Sequence, residues 1–281
     1  MTPLAGRSAV VIGVGGVGGG ISRQLAAAGM RVAVADIDPA AAEAARAAIV
    51  AAGGTAVAEA VDATDRDDLA RLARRAAAEL GGPHLLVTTV AAITDRRLDA
   101  CSEDDWAWIT EANLMSAVRA VDVFLPFLRA HREPAHVVVT TSLAGLVTTP
   151  ASALRGGLRN GLYSTTKHAL VGYADMLRHE LAEEGIGVSL LCPGVVEGNL
   201  RSTAARLRPA RFGGPEPDPQ IGMEPKRDPM SADHVGRLVV RAVEADRFWV
   251  FTHPESAQLV AARYEELRDG FAFLADAGED G

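Results

Sequence analysis

The chain has 281 residues and a formal net charge of -8. That balance disfavours a nucleic-acid binder, because such binding rests on Lys and Arg neutralising phosphates. The length suits one large α/β domain or two small ones and buries a core either way. Cys101 and Cys192 lie far apart and match no ligand or disulfide spacing, so they read as free thiols of a reducing cytoplasm. Gly6, Arg7 and interrupting glycines make the N-terminal apolar stretch neither a signal peptide nor a membrane span. The seven histidines include no His-x-His or His-Glu-x-x-His pair, so no metal site is expected.

The apolar run Ala9-Val10-Val11-Ile12 predicts a first strand. It runs into Gly13-Val14-Gly15-Gly16-Val17-Gly18 and two more glycines, then an alanine- and leucine-rich helix, a strand from Arg31 to Ala35, and Asp36. Strand, G-x-G-x-x-G turn, helix, second strand and acid in register form the fingerprint of a βαβ dinucleotide site. Glycines let the backbone turn tightly and approach a pyrophosphate, and the helix N-terminus offers unpaired N–H groups to it. Asp36 is placed to accept hydrogen bonds from the adenosine ribose hydroxyls. It favours NAD over NADP: a carboxylate repels a 2′-phosphate, Ile37 supplies no cation, and Arg31 begins the strand and should point away.

Further along, an alanine-rich helix is expected from Pro39 to Ala52 and a third strand from Thr55 to Val61. Thr64 is the expected N-cap of a helix over Asp65–Leu80, whose arginines read as a solvated face. His84–Thr88 is a short buried strand. Ser102 should cap a long helix to about His131, with Pro126 kinking it or marking its last turns. A fifth strand (His136–Thr140), a glycine-rich loop, a helix from about Leu162 to Glu184 and a sixth strand (Gly187–Leu191) follow. Residues 193–230 form one long irregular stretch, a candidate substrate lid. Ser231 should cap a helix to about Ala245, ahead of a strand over Phe248–Phe251 and a terminal helix after Pro254. This alternation predicts an α/β fold in one domain over 1–281: a doubly wound parallel sheet of about seven strands with helices on both faces.

The chemistry is read from Tyr163-Ser164-Thr165-Thr166-Lys167. Positions i and i+4 of a helix share a face, so phenol and ammonium can lie side by side. A neighbouring cation favours phenolate and lowers the tyrosine pKa from near 10. A tyrosine so tuned can pass a proton to or from a carbonyl oxygen.

With these motifs in order, the chain resembles the short-chain dehydrogenase/reductase family over essentially its whole length. Asp62, Asn113 within Glu111-Ala112-Asn113-Leu114, Thr141-Ser142-Leu143-Ala144-Gly145, Tyr163, Lys167 and Pro193-Gly194 match successive family motifs. The resemblance implies Tyr163 as general acid/base and Lys167 as the group that lowers its pKa and holds the nicotinamide ribose. It implies Ser142 as donor to the substrate oxygen and Asn113 as anchor of a proton-relaying water. Cofactor contacts are implied at Gly13, Gly15, Gly16, Val17, Gly18, Asp36, Ile37, Asp62, Ala63, Val90, Ala91, Tyr163, Lys167, Pro193, Gly194 and Val196. The resemblance also implies a homodimer or homotetramer built on the helices around 102–131 and 161–184.

The chain departs from the family at several points. Its glycine turn is one residue short and lacks the usual threonine, and its fourth strand ends Thr88-Thr89-Val90-Ala91 in place of Asn-Asn-Ala-Gly. The two changes should lie side by side and could compensate. Ser142 and Tyr163 are twenty-one positions apart, with extra residues in 150–161 (Arg155 and Arg159 among them) that either shape the pocket or an oligomer contact, or form a solvated loop. Gly198 replaces a threonine that usually meets the cofactor carboxamide.

The lid mixes Leu200, Leu207, Phe212, Ile221 and Met223 with Arg201, Arg206, Arg208 and Arg211. Its apolar members suit a bulky hydrophobic alcohol or ketone, and the arginines read as a solvated face. The ending Phe248-Trp249-Val250-Phe251-Thr252-His253-Pro254 resembles a subgroup acting on hydrophobic or aromatic secondary alcohols. The leading expectation is an NAD-dependent, cytoplasmic alcohol dehydrogenase or ketone reductase with no membrane or nucleic-acid partner. The alternatives are a 3-oxoacyl-type reductase and, from another class, an NAD-sensing protein without turnover.

Overall fold

The computed structural model describes residues 4–131, 133–148, 159–217 and 229–277. Seven parallel strands form one sheet in the order β3-β2-β1-β4-β5-β6-β7. They are β1 (Ser8–Ile12), β2 (Arg31–Asp36), β3 (Thr55–Ala60), β4 (Leu85–Thr88), β5 (Ala135–Thr140), β6 (Ile186–Cys192) and β7 (Trp249–Phe251). The intervening helices are α1 (Val17–Ala27), α2 (Pro39–Ala51), α3 (Arg66–Leu80), α4 (Glu103–Thr110), α5 (Ser116–Arg129), α6 (Gly161–Ala182), α7 (Leu200–Leu207), α8 (Ala232–Glu244) and α9 (Ala257–Ala277). Strand order reverses between β1 and β4, which opens a crevice beyond their C-terminal ends, where ligands bind in such sheets.

Side chains of a strand alternate between faces, and both faces here are buried. Val10 and Ile12 of β1 face a core completed by Leu69 and Leu72 of α3, Phe124 of α5 and Leu170 of α6. Ala9 and Val11 face the opposite core, with Ile21 and Leu25 of α1, Ile49 of α2 and Val239 of α8. The extra glycines of α1 serve that second layer. A Cβ on Gly20 would lie 2.1 Å from the Ala232 carbonyl oxygen, and one on Gly236 would lie 2.6 Å from that of Gly20. The α1 and α8 backbones therefore cross almost in contact, and α8 braces the start of α1.

The edge strand β3 would offer unpaired carbonyls to another chain. Arg71 and Arg75 of α3 cover it, donating to the Ala60 (3.1 Å) and Ala58 (2.7 Å) carbonyl oxygens. Arg71 is exposed and Arg75 half-buried, and both cover carbonyls of the edge as well as meeting solvent. The cap of α3 is also not the expected one: Asp65 accepts from the Asp67 and Asp68 amides, while Thr64 donates its hydroxyl to Asp62. Asp65 wins because a carboxylate at the N-cap reaches two free N–H groups.

Ser102 does cap α4, in a capping box with Asp105. The long helix is interrupted about two turns later by a π turn over Glu111–Met115. Pro126 falls within the last turn of α5. The lid is not wholly irregular: it carries α7 and a 3-10 turn, Ala210–Phe212. Its ends are joined by a bridge between Val196 and Met230. Ile221, Met223, Arg155 and most of 150–161 lie outside the described residues.

Candidate active site

One cleft of about 300 Å³ lies over the crevice. The glycine turn, Asp36, Ile37, Asp62, Ala63, Val90, Ala91, Ser142, Tyr163, Lys167, Pro193, Gly194 and Val196 all line it. Asn113 does not; it is buried behind the wall.

The shortened turn is tight. Gly13 has φ +90°, and a Cβ there would stand 2.9 Å from the Val90 amide nitrogen. A Cβ on Gly18 would fall 1.9 Å from the Gly13 carbonyl oxygen. Thr89 Oγ1 donates to the Gly13 carbonyl and lies 3.2 Å from that of Ile12. The altered turn and the altered strand end thus meet directly. No side chain caps α1, whose N-terminus opens onto the cleft. Bare backbone, free helix amides and a flanking carboxylate fit the diphosphate and ribose of a dinucleotide.

Asp36 is buried, and its carboxylate already accepts from the Val14 amide (2.7 Å) and the Asp38 amide (3.0 Å). It therefore braces the turn, and its remaining lone pairs are what it can offer a ribose. Asp62 likewise accepts from the Thr64 amide and hydroxyl.

On the opposite wall α6 carries Tyr163 and Lys167. Lys167 is 1% exposed and donates to the Thr140 carbonyl at 3.0 Å. Burial pulls its pKa down to about 7. Its Nζ lies 5.6 Å from the centre of the Tyr163 ring. Burial pushes the Tyr163 phenol up, against a smaller downward pull from its hydrogen bond with Ser142. Desolvation of the phenol dominates here, while the Lys167 ammonium donates to the Thr140 carbonyl. Ser142 is fixed by the Ala144 amide (3.2 Å) and faces the Pro193 carbonyl (3.4 Å). Gly194 is needed beside it, since a Cβ would meet His253 Nδ1 at 2.7 Å.

Asn113 occupies the centre of the π turn. Its Oδ1 accepts from the Ala92 amide (2.6 Å), and its Nδ2 donates to the Ala92 carbonyl and Thr166 Oγ1, both at 3.0 Å. The side chain thus ties the end of β4 to α6. π turns leave backbone groups out of the regular ladder and recur at functional sites.

The lid arginines are not merely solvated. Arg206 pairs with Asp38 (2.8 Å), Arg208 with Asp105 (2.8 Å), and Arg211 with Asp62 (3.2 Å) and Thr64 (2.6 Å). Each joins the lid to the sheet body. No charge pattern in the sequence announces them, because each of these partners on the sheet body is more than a hundred residues away. Trp108, which also lines the cleft, was similarly hidden among core-like aromatics. The Phe248–Phe251 run does not line the cleft; it forms the sheet edge, where Trp249 and Phe251 stack at 5.9 Å. Among the described residues no cluster could hold a metal, and no helix is long and apolar enough to cross a membrane.

A doubly wound sheet with a glycine turn at the β1 end and a serine, tyrosine and lysine facing it defines a nicotinamide-dependent oxidoreductase class. The sequence profile of the short chain dehydrogenases matches residues 7–207, and the chain belongs to that family. It is 29% identical over 273 residues to a C alpha-dehydrogenase of Sphingobium sp., covering 92% of this chain and 84% of that one. It is 28% identical to a 1-deoxy-11-beta-hydroxypentalenate dehydrogenase of Streptomyces exfoliatus, over 94% of this chain and 89% of the relative. Among solved structures, a short chain dehydrogenase/reductase from Burkholderia phymatum in complex with NAD superposes with a TM-score of 0.83 at 29% identity, covering 95% and 96% of the two chains.

Proposed function

We propose that this protein is an NAD-dependent oxidoreductase that interconverts a secondary alcohol and a ketone on a bulky hydrophobic or aromatic small molecule, with Tyr163 as general acid/base. The observation that carries this reading is the meeting of Ser142, Tyr163 and Lys167 on one wall of the cleft whose other wall is the glycine turn and Asp36. Relatives named as dehydrogenases, one of a hydroxylated pentalenate, support the reaction type. A neighbour solved with NAD and the buried carboxylate of Asp36 support the choice of cofactor.

In this reading the glycine turn and the start of α1 hold the diphosphate, Asp36 and Ile37 the adenosine ribose, and Asp62 and Ala63 the adenine edge. NAD supplies the hydride acceptor for the carbinol carbon. Tyr163 Oη takes the hydroxyl proton, so that oxygen and carbon become a carbonyl, and returns it in the reverse direction. Ser142 orients the substrate oxygen. Lys167 holds the nicotinamide ribose and contributes positive charge behind the phenol. Asn113 fixes the strand end and the π turn beside Lys167, where a relaying water would be held. The enzyme acts in the cytoplasm as a homodimer or homotetramer.

NADH formation with a panel of hydrophobic secondary alcohols, run beside Tyr163→Phe, tests the reading. The substitution should cost about 10²- to 10⁴-fold in turnover while NAD binding persists. Undiminished turnover in that variant would remove Tyr163 from its role.

A further inference from the structure

Of the four lid arginines among the described residues, three reach acids of the sheet body. The fourth, Arg201, does not. It is half-buried and makes no hydrogen bond or ion pair among the described residues. It also stands in the first turn of α7, a turn without acidic residues, where the helix dipole disfavours a cation. Burial presses its pKa down, and Asp95 only partly opposes that. A guanidinium kept in such a position, with no hydrogen bond or ion pair among the described residues, breaks the local rules that its three neighbours obey.

Arg201 lines a second cavity of about 450 Å³, beside the first. Ile93, Trp108 and Ala205 supply its apolar wall, and Trp108 lines the catalytic cleft too. Thr94 also lines it; this residue is 7% exposed, and its buried Oγ1 has no hydrogen-bond partner among the described residues. Buried hydroxyls without partners are costly and uncommon. The two acids of the cavity are already engaged: Glu216 by Arg96 and Arg208 at 2.6 Å each, and Asp95 by the Arg159 amide at 2.7 Å.

We infer that this cavity receives a carboxylate carried by the substrate, gripped by Arg201 with Thr94 Oγ1 as a second donor. The reacting carbinol would lie at Tyr163 and the apolar body of the substrate along Trp108. The inference rests on the dehydrogenase reading above and narrows its substrate to hydroxy or keto acids with the acid group remote from the reacting carbon. A carboxylate fits the guanidinium fork. A dianion such as a phosphate ester is opposed by Asp95 and Glu216, which share the cavity.

The test uses inert ligands, so that binding is read without turnover. The full chain with NAD is titrated calorimetrically with 4-phenylbutyrate and with 4-phenylbutyramide. The acid should bind about tenfold more tightly than the amide. Arg201→Gln should abolish that preference, Arg201→Lys should keep part of it, and Thr94→Val should weaken it. Tyr163→Phe should leave it intact, so failure of the catalytic assignment is seen separately in turnover. Equal affinity for acid and amide in the unaltered protein would overturn the inference, as would a preference that survives Arg201→Gln. The two Arg201 variants guard against loss of folding, since the lysine keeps the charge and the stem.

Discussion

The hydroxyl of Thr89 donates to the carbonyl oxygen of Gly13, fastening the end of β4 to the glycine turn at the end of β1. The usual tie in such turns comes from a threonine inside the turn, and this chain has none. The bond has been moved to the neighbouring strand. Thr89→Val keeps the shape and deletes the donor, so it should cost about 1–2 kcal/mol of stability. It should also weaken NAD binding, because the turn that approaches the diphosphate loses its anchor. Thr89→Ser should restore both. Thermal melts with and without NAD would check it, and an unchanged Thr89→Val would show the bond to be dispensable.

Lys167 makes stability depend on pH. Its pKa is about 7 in the fold against an ordinary lysine value of 10.5, so between those limits the unfolded chain binds more protons than the folded one. Stability therefore rises with pH through this window, and the penalty is fully present below about pH 7. In Lys167→Met the slope between pH 7 and 10 should be shallower by the contribution of one proton. His136 acts on the acid side. Burial holds it at about 4, against an ordinary histidine value of 6.5, so its contribution is lost as pH falls from 6.5 to 4. Denaturant titrations across pH, with His136→Asn beside the parent, should show a flatter acid limb in the variant.

Arg208 is 4% exposed and Asp105 0%. Arg208 also donates to the Phe212 carbonyl and lies over the Trp108 ring, 5.0 Å from its centre. Arg208→Ala leaves Asp105 buried with the half-exposed Arg96 as its remaining cation, which should cost about 3–5 kcal/mol. Arg211→Ala breaks an exposed pair and should cost under about 1 kcal/mol. Chemical denaturation separates the two. Equal effects would mean that burial does not govern the lid contacts.

Arg206 holds the Asp38 carboxyl below its usual range through their hydrogen bond, two residues beyond Asp36. Asp38→Asn removes one negative charge near the ribose end of the cleft and frees a cation. The ratio of NADPH to NADH affinity should rise by about fivefold. Fluorescence titration of both cofactors reads it directly, and an unchanged ratio would place Arg206 out of reach of the 2′ position.

Strand and helix order, the glycine turn and the facing of Tyr163 and Lys167 were legible because each is a local pattern. An apolar run, a glycine spacing and an i, i+4 pair fix their own geometry. The polar ties were not legible. Thr89 to Gly13, Arg211 to Asp62 and Arg208 to Asp105 join residues remote in sequence, and only the fold brings them together. Thr64 was taken as a cap because threonine commonly caps, yet Asp65 competes for the same amides with a stronger acceptor. Around the phenol, spacing shows that Lys167 is near, but not that its Nζ donates to the Thr140 carbonyl or that the site is desolvated. The aromatic ending resembles a subgroup acting on hydrophobic alcohols, but bulk alone does not say that it occupies the sheet edge.

The bridge between Val196 and Met230 brings the two ends of the lid to one place on the sheet. Whatever length of chain runs between them, it leaves and returns through the same doorway. Closure entropy grows slowly for such a loop, by about 0.6 kcal/mol for each doubling of its length. The arginines that latch it are carried on the lid, and Asp38, Asp105 and Asp62, to which they latch it, stay on the frame. The segment is therefore built as a cassette: exchanged at those two positions with its arginines kept, it can present a different substrate wall while the cofactor half of the cleft stays as it was.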